Sequence, residues 1–139
     1  MTAKPMVEFR AVSKRYGPVT AVNDVSFDIQ RGTLVTLLGP SGCGKTTTLR
    51  LIAGLEMASA GHIFIDGEDV TLKPATERDV SMVFQSYALF PHMTVLDNAA
   101  YGLVMSGHKK KEAEEAARAK LALVGLRDLD KRLPSELSG

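Results

Sequence analysis

The segment Gly39–Thr46 holds the residues of this chain with the most specific chemistry. It reads Gly-Pro-Ser-Gly-Cys-Gly-Lys-Thr, which fits a phosphate-binding pattern of a glycine, four residues and then Gly-Lys-Thr. Glycines let backbone N–H groups approach an anion closely, Lys45 can reach a terminal phosphate as a point charge, and the Thr46 hydroxyl suits Mg²⁺. We therefore expect nucleotide phosphates to bind here. The expected contact residues are Gly39, Pro40, Ser41, Gly42, Cys43, Gly44, Lys45, Thr46 and Thr47.

Cys43 is the only cysteine of the chain, and it lies inside this segment. A thiol beside a lysine and a helix N-terminus can be unusually reactive, so we predict that Cys43 is alkylated and that bound nucleotide protects it. The alternative is that Cys43 contributes to phosphate binding only through its backbone N–H, and that its small side chain has no role. A single cysteine cannot form an internal disulfide, which is compatible with a reducing compartment.

The sequence on both sides of this segment predicts the elements that must position it. Leu34–Leu38 is a largely apolar run typical of a buried strand, and Thr46–Ala53 has a helical pattern that Gly54 can end. A strand, a loop and a helix in this order are the context that the pattern requires, which argues against a glycine-rich turn with a chance lysine. Val80–Phe84 is a second apolar run. We expect both runs to be parallel strands buried on both faces.

A layer of antiparallel strands is predicted around this unit. Val7–Ser13 and Val22–Ile29 alternate between apolar and polar residues, as half-buried strands do, and Tyr16-Gly17-Pro18 interrupts them. His62–Ile65 is a further strand candidate. It precedes Asp66-Gly67, a pair of residues favoured in two-residue hairpin turns.

The second part of the chain has a helical character. Thr94 is a candidate N-cap for one helix, and Lys109–Val124 predicts another that Gly125 can end. We therefore divide the chain into residues 1–85, the core with its β-layer, and residues 86–139, an incomplete helical subdomain.

Composition and charge set broad limits on function. The 139 residues include 17 basic and 16 acidic side chains, so a net charge of +1 gives no general electrostatic argument for binding nucleic acid or an anionic membrane. No apolar run approaches the roughly 18 residues of a membrane span, and Met1–Arg10 lacks the pattern of a signal peptide. We expect a cytoplasmic protein without a nucleic-acid partner.

Four features together resemble the ATP-binding cassette of ABC transporters. They are Gly39–Thr46, Tyr16 in Lys-Arg-Tyr-Gly, Gln85 at the end of an apolar run, and Leu137–Gly139, which matches the first residues of the signature Leu-Ser-Gly-Gly-Gln. The resemblance implies an α/β fold: a P-loop NTPase core with an antiparallel β front layer and the start of a helical subdomain, binding ATP and Mg²⁺. It also implies that the chain is the N-terminal part of a larger subunit.

The resemblance assigns roles to residues outside the phosphate loop. It implies that Tyr16 stacks on adenine and that Val22 packs near the nucleoside. A core aromatic at a strand end is the alternative for Tyr16. Gln85 matches a glutamine that ligates Mg²⁺ together with Thr46 and senses water near the γ-phosphate. The alternative for Gln85 is a polar strand-end residue that bonds to the backbone.

The segment Gln85–Val95 resembles the corresponding stretch of bacterial importers of polyamines, ferric iron, sulfate and sugars. In that family this region receives a coupling helix of the membrane-spanning permease subunit. Apolar anchors for such a helix could come from Tyr87, Leu89, Phe90 and Met93, although these residues could equally form the core of the subdomain. The resemblance further implies a second copy of the ATPase subunit, an indirect link to a solute-binding protein, and a peripheral position on the inner face of the membrane.

These inferences predict the ATP-binding part of an importer's energy-coupling subunit. The sequence has no match to the family's Walker B aspartate or catalytic glutamate, so we expect the chain to bind nucleotide without turning over. Two alternatives stay open: a non-transport cassette ATPase acting in repair or translation, and a nucleotide-binding regulatory module without hydrolysis. We also expect the apolar strands to lack neighbours and to promote self-association.

Overall fold

A computed structural model describes residues 4–137, which form two compact units that divide between Met82 and Val83. The sequence analysis placed this boundary after Gln85. In the structure the division lies three residues earlier, so Gln85 falls in the second unit. None of the described helices is both long and apolar enough to span a membrane.

The first unit contains an antiparallel sheet. Its strands are β1 (Val7–Tyr16), β2 (Val19–Ile29), β3 (Ala60–Ile65) and β4 (Glu68–Asp69), and their spatial order is β2-β1-β3-β4. The alternating patterns therefore predicted the strands correctly, although β1 and β2 run further than expected. The hairpin at Asp66-Gly67 is also confirmed, since φ is 48° and 68° at these two residues, as a tight turn requires.

Two irregularities bend the pairing of β1 and β2. Ala11 and Asp24 adopt positive φ angles of 51° and 49°, and the register shifts between Phe9 and Arg15. Serine hydroxyls satisfy the amides released from the ladder: the Ala11 amide donates to Ser26 at 2.8 Å, and the Asp24 amide donates to Ser13 at 2.9 Å. The bulges thus re-aim the end of β1 without leaving these amides unpaired.

A helix packs against the sheet and forms the core of the first unit. Helix α1 (Lys45–Ala53) starts one residue before the predicted range and ends at Gly54, whose φ of 73° gives the predicted glycine C-cap. The buried apolar residues of this core are Phe9, Val12, Val22, Leu51, Ile63, Ile65 and Val70.

Arg78, which the sequence analysis missed, completes the end of α1. Its guanidinium donates to the carbonyls of Leu51 and Ile52 at 2.6 and 3.0 Å, and to Lys73 at 2.8 Å. A β-carbon at position 54 would lie 2.6 Å from Arg78 Nε, so Gly54 is required for space as well as for φ. Burial lowers the pKa of Arg78. The cation nevertheless complements the carbonyl end of the helix.

The two predicted parallel strands are wrong for the described residues. Neither Leu34–Leu38 nor Val80–Phe84 forms a strand, and Leu34 and Leu38 are 97% and 87% exposed. A strand exists only where a neighbour accepts its ladder of hydrogen bonds, and all pairs in the described sheet are antiparallel pairs among β1 to β4. Only Val80 of these two runs packs against the core, and it does so partly.

The described part of the second unit contains two α-helices, as predicted, and a short 3-10 helix, Pro134–Glu136. Helix α2 (Val95–Met105) begins after Thr94, whose hydroxyl accepts from the Asp97 amide at 3.1 Å and so forms the expected cap. Helix α3 (Lys110–Leu123) ends before Gly125, where φ is 77°. The two helices bury a shared core of Val95, Leu96, Ala100, Ala113, Ala117 and Leu121.

Candidate functional site

The loop before α1 has the backbone geometry of an anion-binding turn. Gly42 and Gly44 adopt φ angles of 81° and 93°, and the chain enters α1 at Lys45. A β-carbon at position 44 would collide with the carbonyl oxygen of Ala21 on β2, so only glycine fits there. No side chain caps the helix at Gly44, and its first turn holds no acidic residue. The positive N-terminal end of α1 is therefore not neutralised locally.

Lys45 places its charge over the loop itself. Its ammonium donates to the carbonyl oxygens of Gly39 and Pro40 at 2.7 and 2.8 Å, and lies 3.5 Å from Cys43 Sγ. The Cys43 side chain is exposed. The predicted phosphate-binding cation is thus held within the loop, and the thiol lies beside it.

Three consecutive threonines follow Lys45 and differ in their surroundings. Thr46 is exposed in the first turn of α1, Thr47 is half-buried, and Thr48 is buried with its hydroxyl donating to the Gly44 carbonyl at 3.0 Å. Thr48 therefore fastens the helix to the loop. An exposed hydroxyl at Thr46 fits the oxygen ligands that Mg²⁺ prefers.

Val22 lies on β2, beside the loop, and Tyr16 lies at the end of β1. Val22 is buried on β2, and its Cγ2 would lie 3.5 Å from a β-carbon at position 44, so this side chain packs beside the loop. Tyr16 ends β1 opposite Val19 and is 42% exposed. Exposure of this kind argues against the alternative that Tyr16 is a core aromatic.

Gln85 is exposed in a turn of the second unit. Two of the next three residues, Tyr87 and Ala88, adopt positive φ angles of 60° and 51°, which is an uncommon conformation for residues other than glycine. The predicted strand end at Gln85 is therefore a strained turn, and the alternative of a residue at the end of a strand no longer applies. The joint binding of Mg²⁺ by Thr46 and Gln85 stays a prediction.

Asn98, a residue that the sequence analysis missed, organises the segment after Gln85. Its side chain accepts from the Phe90 amide at 2.9 Å and donates to the carbonyls of Phe90, Met93 and Thr94 at 3.0 to 3.1 Å. The signal available in the sequence was an amide one turn inside α2, close behind the Thr94 cap. Asn98 thus fixes residues 90–94 onto the start of α2.

The apolar residues of this segment differ in exposure. Tyr87 is 73% exposed, Leu89 and Phe90 are also exposed, and Met93 is half-buried. The Phe90 ring nevertheless lies 4.6 Å from that of Tyr101. The alternative that all four form the subdomain core is therefore wrong for Tyr87 and Leu89. A free apolar surface exists on the segment predicted to bind a permease.

A comparison with protein families decides the identity of this arrangement. The family model described as ABC transporter matches residues 22–139, which include the phosphate loop and Gln85. The chain belongs to the ABC transporter family. The predicted resemblance, made from the loop, Tyr16, Gln85 and the last residues, is confirmed.

Curated relatives from this family are importer components. The chain is 63% identical over 139 residues to the Fe(3+) ions import ATP-binding protein FbpC 1 of Rhizobium meliloti, covering 100% of this chain and 39% of that relative. It is 51% identical to the Fe(3+) ions import ATP-binding protein FbpC of Escherichia coli O157:H7, covering 100% of this chain and 40% of that protein. The chain thus spans about two fifths of the length of these relatives.

Solved ABC structures confirm the predicted fold class. The dimeric post-hydrolysis state of the ATP-binding cassette MJ0796, bound to ADP and Pi, has a TM-score of 0.84 and 27% identity, covering 96% of this chain and 63% of that one. The ADP conformation of the cassette MJ1267 has a TM-score of 0.82 and 26% identity, covering 99% and 60%. The α/β cassette fold is therefore shared, although the described part of this chain lacks the two predicted parallel strands.

Proposed function

We propose that this chain contains the residues that bind ATP in the ATP-binding subunit of an ABC importer. The phosphates bind the amides of residues 39–47 and the ammonium of Lys45, and Thr46 provides an oxygen ligand for Mg²⁺. One observation carries this proposal: the Lys45 ammonium lies within a glycine loop that leads directly into the uncapped N-terminus of α1.

The other nucleotide contacts are proposed from the family resemblance. Tyr16 stacks on adenine, for which its exposed ring is suited, and Val22 packs near the nucleoside beside Gly44. Gln85 joins Thr46 as a ligand of Mg²⁺ and senses the γ-phosphate. Its exposed amide has the oxygen and nitrogen atoms that these roles need.

In the intact subunit we propose that ATP hydrolysis drives solute import. The FbpC relatives carry Fe(3+) import in their names, which supports ferric iron as the cargo and favours transport over a role in repair, translation or regulation. The segment Gln85–Val95 binds the permease subunit, with Tyr87 and Leu89 as exposed anchors. A second ATPase copy and, indirectly, a solute-binding protein complete the assembly at the inner face of the cell membrane.

Isothermal titration of the chain with Mg²⁺-ATP tests the binding step. Lys45→Met removes the charge that contacts phosphate, and loss of charge-assisted hydrogen bonds of about 1.5–3 kcal/mol predicts roughly 10- to 100-fold weaker binding. Lys109→Met is the matched control, because Lys109 is exposed before α3. Equal ATP affinity in the Lys45 variant and the unmodified chain would refute the proposal.

A further inference from the structure

An ionic contact lies at the end of β1, next to Tyr16. The Lys14 ammonium is 2.9 Å from Glu56 Oε2 and donates to the Met57 carbonyl at 2.9 Å. It also lies 4.9 Å from the centre of the Tyr16 ring. The Lys14 and Glu56 side chains are only 14% and 24% exposed, so the pair is well shielded for a surface contact. One face of the Tyr16 ring is therefore covered by a cation.

The segment after α1 holds Lys14 in place. The amides of Leu55 and Glu56 bond to the Arg50 carbonyl at 3.0 and 3.3 Å, which fixes the backbone of Glu56 at the end of α1. Further along, Ser59 donates to the Ser13 carbonyl at 2.8 Å and accepts from the Arg15 amide at 3.0 Å. Glu56 thus joins two elements: its backbone is fixed to the helix that follows the phosphate loop, and its carboxylate to the strand that carries Tyr16.

We propose that Lys14 and Glu56 are positioning residues for the nucleobase. Lys14 covers one face of the Tyr16 ring, so that a base stacks on the opposite face. Glu56 holds Lys14 at a fixed position relative to α1. The inference rests on the proposed binding of ATP and extends it to two residues. It assigns them to base stacking alone, and phosphate binding does not depend on them.

The electrostatics of the pair support this role. The pKa of Glu56 is lowered, chiefly by its hydrogen bond with Lys14. Glu56 is therefore ionised at neutral pH, and its carboxylate lies 2.9 Å from the Lys14 ammonium. A cation on one face of an aromatic ring attracts the ring electrons, and it leaves the other face free for the extended, electron-rich surface of a purine.

The test compares ATP with inorganic tripolyphosphate, which carries the phosphates without a base. Lys14→Met and Glu56→Gln should each weaken ATP binding by about two- to fivefold, the size of a cation–π contact of about 0.5–1 kcal/mol. Tripolyphosphate affinity should stay unchanged. Lys14→Arg, which keeps the cation and its hydrogen bonds to Glu56, should restore ATP affinity.

The chain offers a matched control on the same strand. Arg10 lies 4.2 Å from the centre of the Phe64 ring and bonds to Glu8 at 2.7 and 2.9 Å, so it repeats the cation, ring and carboxylate away from Tyr16. Arg10→Met and Glu8→Gln should leave both affinities unchanged. Circular dichroism of every variant confirms equal folding.

The possible results separate this inference from the proposed function. Weaker ATP binding with unchanged tripolyphosphate binding in the Lys14 and Glu56 variants supports it. Equal weakening of both ligands would show a purely structural role and overturn it, as would unchanged ATP binding. If the unmodified chain binds neither ligand, the proposed function itself fails, and the inference fails with it.

Discussion

Two regions of the first unit differ in the pattern of their apolar residues and in their structure. β1 and β2 alternate apolar and polar residues and pair with each other across a short turn, whereas Leu34–Leu38 is almost continuously apolar and exposed. A hairpin finds its partner a few residues away, but a strand buried on both faces needs neighbours from distant parts of a fold. The β1–β2 hairpin thus completes itself locally, while the run that enters the phosphate loop has no strand neighbour in residues 4–137.

The phosphate loop follows Leu34–Leu38 in the chain and contacts β2 at Gly44. Its C-terminal side is fixed, because Gly44 packs against Ala21 on β2 and Thr48 bonds back to Gly44. Its N-terminal side follows the exposed run that ends at Leu38. We infer that phosphate binding depends mainly on α1 and β2, and matched substitutions in the first unit test this contrast.

The largest difference should come from matched leucine truncations. Leu51 is fully buried in the core of the sheet and α1, so Leu51→Ala should lower the free energy of unfolding by about 2–5 kcal/mol. Leu34→Ala is the same chemical change at a residue that is 97% exposed, and it should change this free energy by less than about 0.5 kcal/mol. Urea unfolding monitored by circular dichroism measures both, and similar losses at the two positions would contradict the contrast.

Matched glycine substitutions on the two sides of the loop should differ next. Gly44→Ala combines a positive φ of 93° with a collision against the Ala21 carbonyl, so we expect a loss of about 1–3 kcal/mol together with weaker ATP binding. Gly32 also has a positive φ, of 74°, but a β-carbon there meets nothing within 4 Å. Gly32→Ala should therefore affect stability less and leave ATP affinity unchanged, as titration and urea unfolding can show.

The N-cap of α2, in the second unit, is also a stabilising interaction between residues close in sequence. Thr94→Ala removes the hydroxyl that accepts from the Asp97 amide, and we expect a loss of about 1 kcal/mol. Thr94→Ser keeps the hydroxyl and should retain most of the stability. Thermal unfolding compares the two variants, and an equal loss in both would show that the cap is not the cause.

The smallest expected effect is a change in the free energy of unfolding at acidic pH. The pKa of Glu56 is below its ordinary value of 4.5, mainly because Lys14 hydrogen-bonds to it. A carboxyl that is more acidic in the folded chain stabilises the fold fully above about pH 4.5, and this stabilisation is lost as pH falls through the folded pKa. Glu56→Gln should remove this part of the acid sensitivity, whereas Glu115→Gln, exposed on α3, should not. Urea unfolding between pH 3 and 6 distinguishes them, and identical profiles would refute the contact.

These differences explain what the sequence could and could not predict. Alternation, the Asp66-Gly67 pair and the Thr94 cap act over a few residues, so strands, hairpin and helix start were predicted correctly. The phosphate loop was recognisable because the spacing of its glycines, Lys45 and Thr46 is itself the phosphate-binding pattern. Arg78 and Glu56 were missed because their partners lie far away in sequence, at Leu51 and Lys14. The two apolar runs were wrongly predicted to be strands, because their pattern is that of a strand with neighbours on both sides, and residues 4–137 contain no such neighbours for them.

The central claim, that nucleotide phosphates bind in the loop 39–47, is tested most directly at Cys43. This thiol is the only one in the chain, is exposed, and lies 3.5 Å from the Lys45 ammonium. The rate of its alkylation by N-ethylmaleimide reports on occupation of the loop. We predict that saturating Mg²⁺-ATP slows this reaction, that tripolyphosphate does the same, and that Lys45→Met abolishes the protection. An alkylation rate unchanged by saturating ATP would contradict the account.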